Sequence, residues 1–186
     1  TPRGTYCLQL STDKVFDGTV ALRARGDAPC PLTAYGRQKA AAEQAVLRAG
    51  GGVLRLSKVL APDLDLVQDW RRKLLTGAPV TPFHDLRLAP VTVDFAVDLI
   101  RRLLDDRAAG IHHCSGAEDR PYVALAEALA KAIGAPANLI RPISAGPLFP
   151  PAQRVPHTTL EMDAENRRYG LANPGFDTTV GAVLRG

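Results

Sequence analysis

No feature restricts the fold of this chain more than the order of its first 57 residues, in which two strand-like segments flank one long helix-forming segment. Thr5-Tyr6-Cys7-Leu8-Gln9-Leu10 alternates apolar and polar side chains among good β-formers, and it stops at Ser11-Thr12-Asp13, three residues that favour turns and caps. Residues 17 to 34 carry Gly, Asp, several charges and the Pro29-Cys30-Pro31 segment without a period, so they form a long loop. Thr33 then precedes a helix-forming run from Tyr35 to Arg48, which Gly50-Gly51-Gly52 closes. Val53-Leu54-Arg55-Leu56-Ser57 resumes β character at once. A helix between two strands implies a crossover, and crossover strands run parallel, which is the layout of a doubly wound α/β body.

Beyond this unit, Leu66 to Leu75 and Val93 to Leu104 carry apolar residues at helical spacing, and the Pro-rich segment Pro79 to Pro90 between them has room for short strands. Ile111-His112-His113-Cys114 is a further strand, and Pro121 to Ile133 a helix with Pro in its first turn and Gly134 at its end. Leu139 to Ile143 is expected as a short strand, and a last polar helix runs near Ala164 to Tyr169. The second half thus forms a smaller, more irregular lobe, and no repeat period marks a solenoid.

The 186 residues hold one domain's worth of core, and a hydrophobic fraction of 46% with 16 Gly and 15 Pro scattered along the chain excludes disorder and collagen-like sequence. A net charge of +4 with no run of five like charges leaves no nucleic-acid footprint. Cys7, Cys30 and Cys114 make no C-x-x-C pair, which points to reduced thiols in the cytoplasm and to neither a disulfide framework nor a metal site. Charges break every apolar stretch well before the roughly 18 residues of a bilayer span, so no membrane anchor or signal peptide is expected. His112 and His113 point to opposite faces of their strand and cannot share a metal; they are expected as one core and one surface residue.

The chemistry centres on Tyr35-Gly36-Arg37-Gln38-Lys39, because four residues on a helix put phenol and ammonium on one face about a turn apart. Tyrosine ordinarily titrates near 10, so proton exchange with a carbonyl at neutral pH needs a nearby cation, which Lys39 supplies. That makes Tyr35 a candidate general acid. Thr12, at the end of the neighbouring strand, adds a second hydroxyl for the same substrate oxygen, and the three together would polarise a ketone for hydride attack.

The pattern S-T-D-x-V-F-D-G from Ser11 to Gly18, followed by P-x-x-x-Y-G-x-x-K-x-x-x-E from Pro31 to Glu43, resembles the dTDP-4-dehydrorhamnose reductase-like (RmlD-type) branch of the extended short-chain dehydrogenase/reductases. The likeness continues through Arg55-Leu56-Ser57, Phe83-His84-Asp85, Pro90-Val91-Thr92-Val93-Asp94, Gly110-Ile111-His112-His113, the Tyr122 to Ile133 helix and Arg141-Pro142-Ile143, and more loosely from Arg154 to Tyr169. It implies an α/β fold: an incomplete Rossmann-like doubly wound parallel sheet plus a smaller α/β substrate-binding lobe. Residues 1–62 would be the later part of the dinucleotide-binding domain and 63–186 the sugar-nucleotide lobe, with elements returning to the sheet. The implied activity is NAD(P)H-dependent reduction of a nucleotide-linked 4-keto-6-deoxy sugar, the chemistry of dTDP-rhamnose biosynthesis.

Carried over by position, the resemblance makes Thr12, Tyr35 and Lys39 the catalytic triad, with Tyr35 the proton donor and Lys39 also holding the nicotinamide ribose. Ser11 joins Tyr35 and Lys39 on the cofactor side, while Asp13, Ser57, Lys58, Asp85 and Arg154 belong to the substrate side. Arg154 is a candidate for a phosphate or sugar, or else a solvated arginine, and His84-Asp85 either contacts substrate or makes a turn. Gly36 and Glu43 look like scaffold positions of the family.

The chain departs from the pattern in three places. Dinucleotide folds place a Gly-rich turn after their first strand, and the Gly cluster here, Gly50 to Gly52, follows a helix and precedes a strand. The expectation is therefore a piece of a longer gene product or, second, a chain whose sheet a partner or a homodimer completes; NAD and NADP stay undistinguished. Lys14 and Lys58 stand where the reductases usually carry aromatics, which leaves open a sugar other than dTDP-4-dehydrorhamnose; Lys58 would meet a phosphate or carboxylate, unless both lysines face solvent. Only Asp13 follows Thr12 where related dehydratases use an acid pair, which ranks a dehydratase below a reductase and leaves an epimerase and a non-catalytic regulatory subunit of the same fold as alternatives.

Overall fold

The computed structural model describes residues 4–185. The crossover unit forms as expected: β1 (Leu8–Thr12), α1 (Ala34–Arg48) and β2 (Gly52–Leu56), with a 3-10 turn at Asp13–Val15 directly after β1. Strand β3 (Lys58–Leu60), α2 (Asp65–Leu75), β4 (Arg87–Leu88), β5 (Pro90–Thr92), α3 (Val93–Asp105) and β6 (Gly110–Cys114) follow. The chain continues through β7 (Arg120–Pro121), α4 (Tyr122–Ile133), α5 (Asp163–Tyr169) and α6 (Phe176–Arg185).

The main sheet is parallel, in the order β1-β2-β6, with Leu10 opposite Leu54, Thr12 opposite Leu56 and Leu56 opposite Cys114. Strand β6, from the second half of the chain, thus joins the sheet beside β2. Helices cover both of its faces, since successive residues of a strand point oppositely. Leu54 packs with Leu99 and Leu103 of α3, whereas Arg55 reaches Glu43 of α1. A second core joins Trp70 and Leu74 of α2 to Leu125 and Leu129 of α4 and to Phe176 and Val180 of α6. Each fully buried Leu or Phe contributes about 1.5–3 kcal/mol. Among the described residues no helix is long and apolar enough to cross a membrane.

Hydroxyl caps set the starts of α1 and α3. Thr33 Oγ1 accepts the Gly36 amide at 3.0 Å and Thr92 Oγ1 the Phe95 amide at 3.1 Å. Helix α4 ends on Gly134 in the left-handed region, φ 70°, as its place after the last periodic residue predicts.

The structure corrects the sequence reading in four places. The first strand runs later than Thr5 to Leu10, because its ladder begins where Leu8 meets Gly52, the first residue of β2. The Leu139 to Ile143 strand is reduced to two isolated parallel bridges, Val80 with Ile140 and Phe83 with Ile143; Pro82 between them lacks the amide that would donate to the Arg141 carbonyl. Helix α6 escaped notice because Thr178, Thr179 and Gly181 dilute helix propensity, although Phe176, Val180, Val183 and Leu184 form one apolar face. His112 and His113 do point to opposite faces, but both are buried, because the Glu161 to Glu165 segment covers the edge of β6.

Candidate active site

Parallel strands bring their carboxyl ends together, and the site gathers there. Thr12 ends β1; its hydroxyl accepts the Lys14 amide at 3.2 Å and donates to Asp13 Oδ1 at 3.0 Å, capping the 3-10 turn. Tyr35 is the second residue of α1 and is half exposed. Gly36 sets the distance between these two elements: a Cβ there would lie 2.1 Å from the Lys14 carbonyl oxygen, so only glycine lets the start of α1 rest against the turn after β1.

A cavity of about 370 Å³ opens between them, lined by Thr12, Asp13, Lys14, Tyr35, Ser57, Lys58, Arg87, Leu88, Tyr122 and Thr158. Six of the residues singled out from sequence meet there: Thr12, Asp13, Lys14, Tyr35, Ser57 and Lys58. Both lysines that replace aromatics, Lys14 and Lys58, face this cavity. Lys14 Nζ pairs with Asp13 at 3.0 Å. The Ser57 hydroxyl donates to the Ala89 carbonyl at 2.6 Å, which leaves its oxygen free to accept.

Four further residues singled out from sequence stand outside that lining. Lys39 Nζ lies 5.9 Å from the centre of the Tyr35 ring and donates to the Leu10 carbonyl at 3.0 Å, a turn along α1 as its spacing requires. Ser11 is buried and donates to Glu43 Oε1 at 2.5 Å. Asp85 accepts from the Ser144 hydroxyl and the Ala145 amide, at 2.6 and 2.8 Å, and those two bonds hold its carboxyl below the usual range. Arg154 Nε donates to the Phe149 carbonyl at 3.1 Å.

Sequence reasoning missed Arg87, Tyr122 and Thr158. Arg87, the first residue of β4, stands two residues after Asp85, a signal available in principle; Tyr122 and Thr158 reach the cavity only through tertiary packing. Burial, and secondarily the Asp13 charge, push the Tyr122 phenol up. Thr158 donates to Asp119 at 2.8 Å, and Asp119 also takes the Thr159 hydroxyl, a cluster that fastens the cavity wall to the β7 side.

A buried ion pair positions α1. Arg55 Nη2 donates to Glu43 Oε2 at 2.7 Å with both side chains almost wholly inaccessible, and the Arg55 guanidinium stacks 4.9 Å from the Phe16 ring. Glu43 lies one turn beyond Lys39, and through Ser11 the pair ties α1 to β1 and β2 together. The donor set on the outer side suits the ribose end of a nicotinamide dinucleotide: Lys39 keeps two N–H groups after its bond to Leu10, and the Tyr35 phenol stands half exposed beside it. A Gly-rich strand-to-helix cradle for the phosphates does not occur among the described residues.

The profile of the family described as RmlD substrate binding domain matches residues 1–186. The chain is 29% identical over 171 residues to methionine adenosyltransferase 2 subunit beta of Rattus norvegicus, covering 85% of this chain and 51% of that protein. It is 28% identical over 185 residues to the probable low-salt glycan biosynthesis reductase Agl14 of Haloferax volcanii, covering 95% of this chain and 62% of that protein. The dTDP-4-dehydrorhamnose reductase of Bacillus anthracis in complex with NADP shares its fold with a TM-score of 0.87 at 19% identity, over 98% of this chain and 66% of that one. The chain spans about half the length of the methionine adenosyltransferase subunits it matches.

Proposed function

This chain belongs to the RmlD substrate binding domain family, within the extended short-chain dehydrogenase/reductases, and from that membership we propose that it carries the proton-donating and sugar-binding part of an NAD(P)H-dependent reductase acting on a nucleotide-linked keto sugar. The observation that carries this reading is the meeting of Thr12 and Tyr35 on one cavity at the carboxyl ends of β1 and β2, with Lys39 one turn below the phenol. Ligands of open parallel sheets bind at those ends.

Lys39 and Tyr35 would hold the ribose end of a reduced nicotinamide, whose chemistry there would be hydride donation to the carbonyl carbon. The protein's own groups manage the oxygen. Tyr35 donates its proton to the oxygen as negative charge develops there, so that a ketone gaining hydride and proton leaves as an alcohol. Lys39, 5.9 Å from the ring, stabilises the phenolate that remains and offers its free N–H groups to ribose hydroxyls. Thr12 steadies the same oxygen by turning its proton from Asp13 to the substrate, while its bond from the Lys14 amide keeps the hydroxyl in place. Residues 1–62 then serve as part of the dinucleotide-binding domain and 63–186 as the sugar-nucleotide lobe, with β6 returned to the main sheet.

The test is turnover of reduced nicotinamide by the intact gene product with a panel of 4-keto-sugar nucleotides. Cofactor consumption that disappears in Tyr35→Phe is expected; sugar-nucleotide binding without any cofactor consumption would overturn the reductase reading. The likeness to the methionine adenosyltransferase beta subunits favours a second reading, a subunit that docks on a partner enzyme chain. In that case Tyr35→Phe leaves its behaviour untouched.

A further inference from the structure

We propose that Lys58 and Arg87 form a site for an acid group carried by the sugar itself, so that the cavity prefers a nucleotide-linked uronate-type sugar to a neutral one. The proposal rests on the sugar-binding reading above. The charges facing the cavity are Lys14, Lys58, Arg87 and Asp13, and Asp13 is already paired with Lys14 at 3.0 Å. Among the described residues no carboxylate pairs with Lys58 or Arg87; the Arg87 guanidinium only donates a long bond of 3.4 Å to the Asp119 carbonyl. The Asp119 carboxylate is spent on Thr158, Thr159 and His157. Two uncompensated cations therefore share one concave wall, which concentrates an anion there.

Their position selects which anion. Thr12 pairs with Leu56 across the sheet, Lys58 lies two residues beyond Leu56, and Thr12 and Lys58 both line the cavity, so the cation stands at the same strand ends as the hydroxyl that would hold the reacting carbonyl. A cavity of this volume is about 9 Å across, enough for one sugar ring within reach of all these groups. In a nucleotide sugar the diphosphate sits on the anomeric carbon, across the ring from a 4-keto group. A cation next to the carbonyl site thus meets a substituent of the ring, and a ring carboxylate satisfies both cations through charge-assisted hydrogen bonds.

The probes are glucose and glucuronate linked to UDP and to dTDP, titrated calorimetrically against the intact gene product and its Lys58→Met and Arg87→Met variants, which keep an unbranched apolar stem and remove charge. The expected result is glucuronate binding about tenfold or more tighter than glucose on either carrier, with the ratio falling toward one in each variant. Equal affinities in the parent protein overturn the proposal. Parallel losses for glucose and glucuronate in the variants also overturn it, because the cations then read the diphosphate. Failure of the two readings separates cleanly. A glucuronate preference without any cofactor consumption sinks the reductase and keeps this site, whereas reduction of neutral keto sugars with no preference does the reverse. Absence of sugar-nucleotide binding altogether overturns both.

Discussion

Replacing Gly36 by alanine tests whether the docking of α1 on the turn after β1 sets the site. The new Cβ would lie 2.1 Å from the Lys14 carbonyl oxygen and 2.9 Å from Pro31 Cβ, while ordinary contact begins at 3.4 Å. The backbone oxygen has no rotamer to escape into, so turn and helix must part by about 1.3 Å. Overpacking of this kind costs about 1–3 kcal/mol, offset by up to about 1 kcal/mol from the better helix propensity of alanine. The expected net loss of about 1–2 kcal/mol lowers Tm by roughly 2–8 °C. The effect on chemistry is larger, since a misplacement of about 1 Å between reacting groups can cost about 100-fold. Gly26→Ala is the control, because nothing lies within 4 Å of a Cβ at Gly26. The assay is Tm by calorimetry together with kcat/KM for cofactor-dependent reduction, on both variants of the intact gene product. A Gly36→Ala protein as stable and as active as the Gly26→Ala control refutes the reasoning.

Further outcomes follow from the same geometry. Tyr35→Phe should abolish reduction while leaving Tm within about 1 °C, because the half-exposed phenol makes no buried contact; a large loss of Tm would assign Tyr35 to the scaffold. Glu43→Gln strands the Arg55 charge in the core and should cost about 3–5 kcal/mol in denaturant unfolding, and a loss below about 1 kcal/mol would contradict a buried, energetically coupled pair. Burial holds the His113 imidazole down at about 4 in the folded chain, against an ordinary 6.5, so the unfolded chain binds a proton first as pH falls. The folded state therefore loses about 3 kcal/mol from this group between pH 6.5 and 4, with nothing lost above that window. An NMR titration of His113 with a midpoint near 6.5 would exclude it.

Much of this was legible along the chain because it depends on local order. The strand-helix-strand series, the Thr33 and Gly134 boundaries of α1 and α4, and the Tyr35 to Lys39 spacing are all set by neighbours a few residues apart. What failed did so where partners decide. Pro82 has no amide to offer the Arg141 carbonyl, so the β-formers around Ile140 and Ile143 cannot extend their bridges into a ladder. His113 looks like half of an alternating strand until the 161–165 segment closes over it.

The sequence alone determined that β1, α1 and β2 form a parallel crossover and that Thr12 and Tyr35 stand at its open end, because periodicity, caps and turns act through the contiguous backbone. Only the tertiary structure decided that Arg87, Tyr122 and Thr158 share the cavity with them, that Ser11 serves the Glu43 and Arg55 pair, and that Lys58 and Arg87 face the same space with no carboxylate paired to either among the described residues. Those groups are separated by tens of residues, and no local pattern records which distant side chains the packing of two cores will bring to one wall.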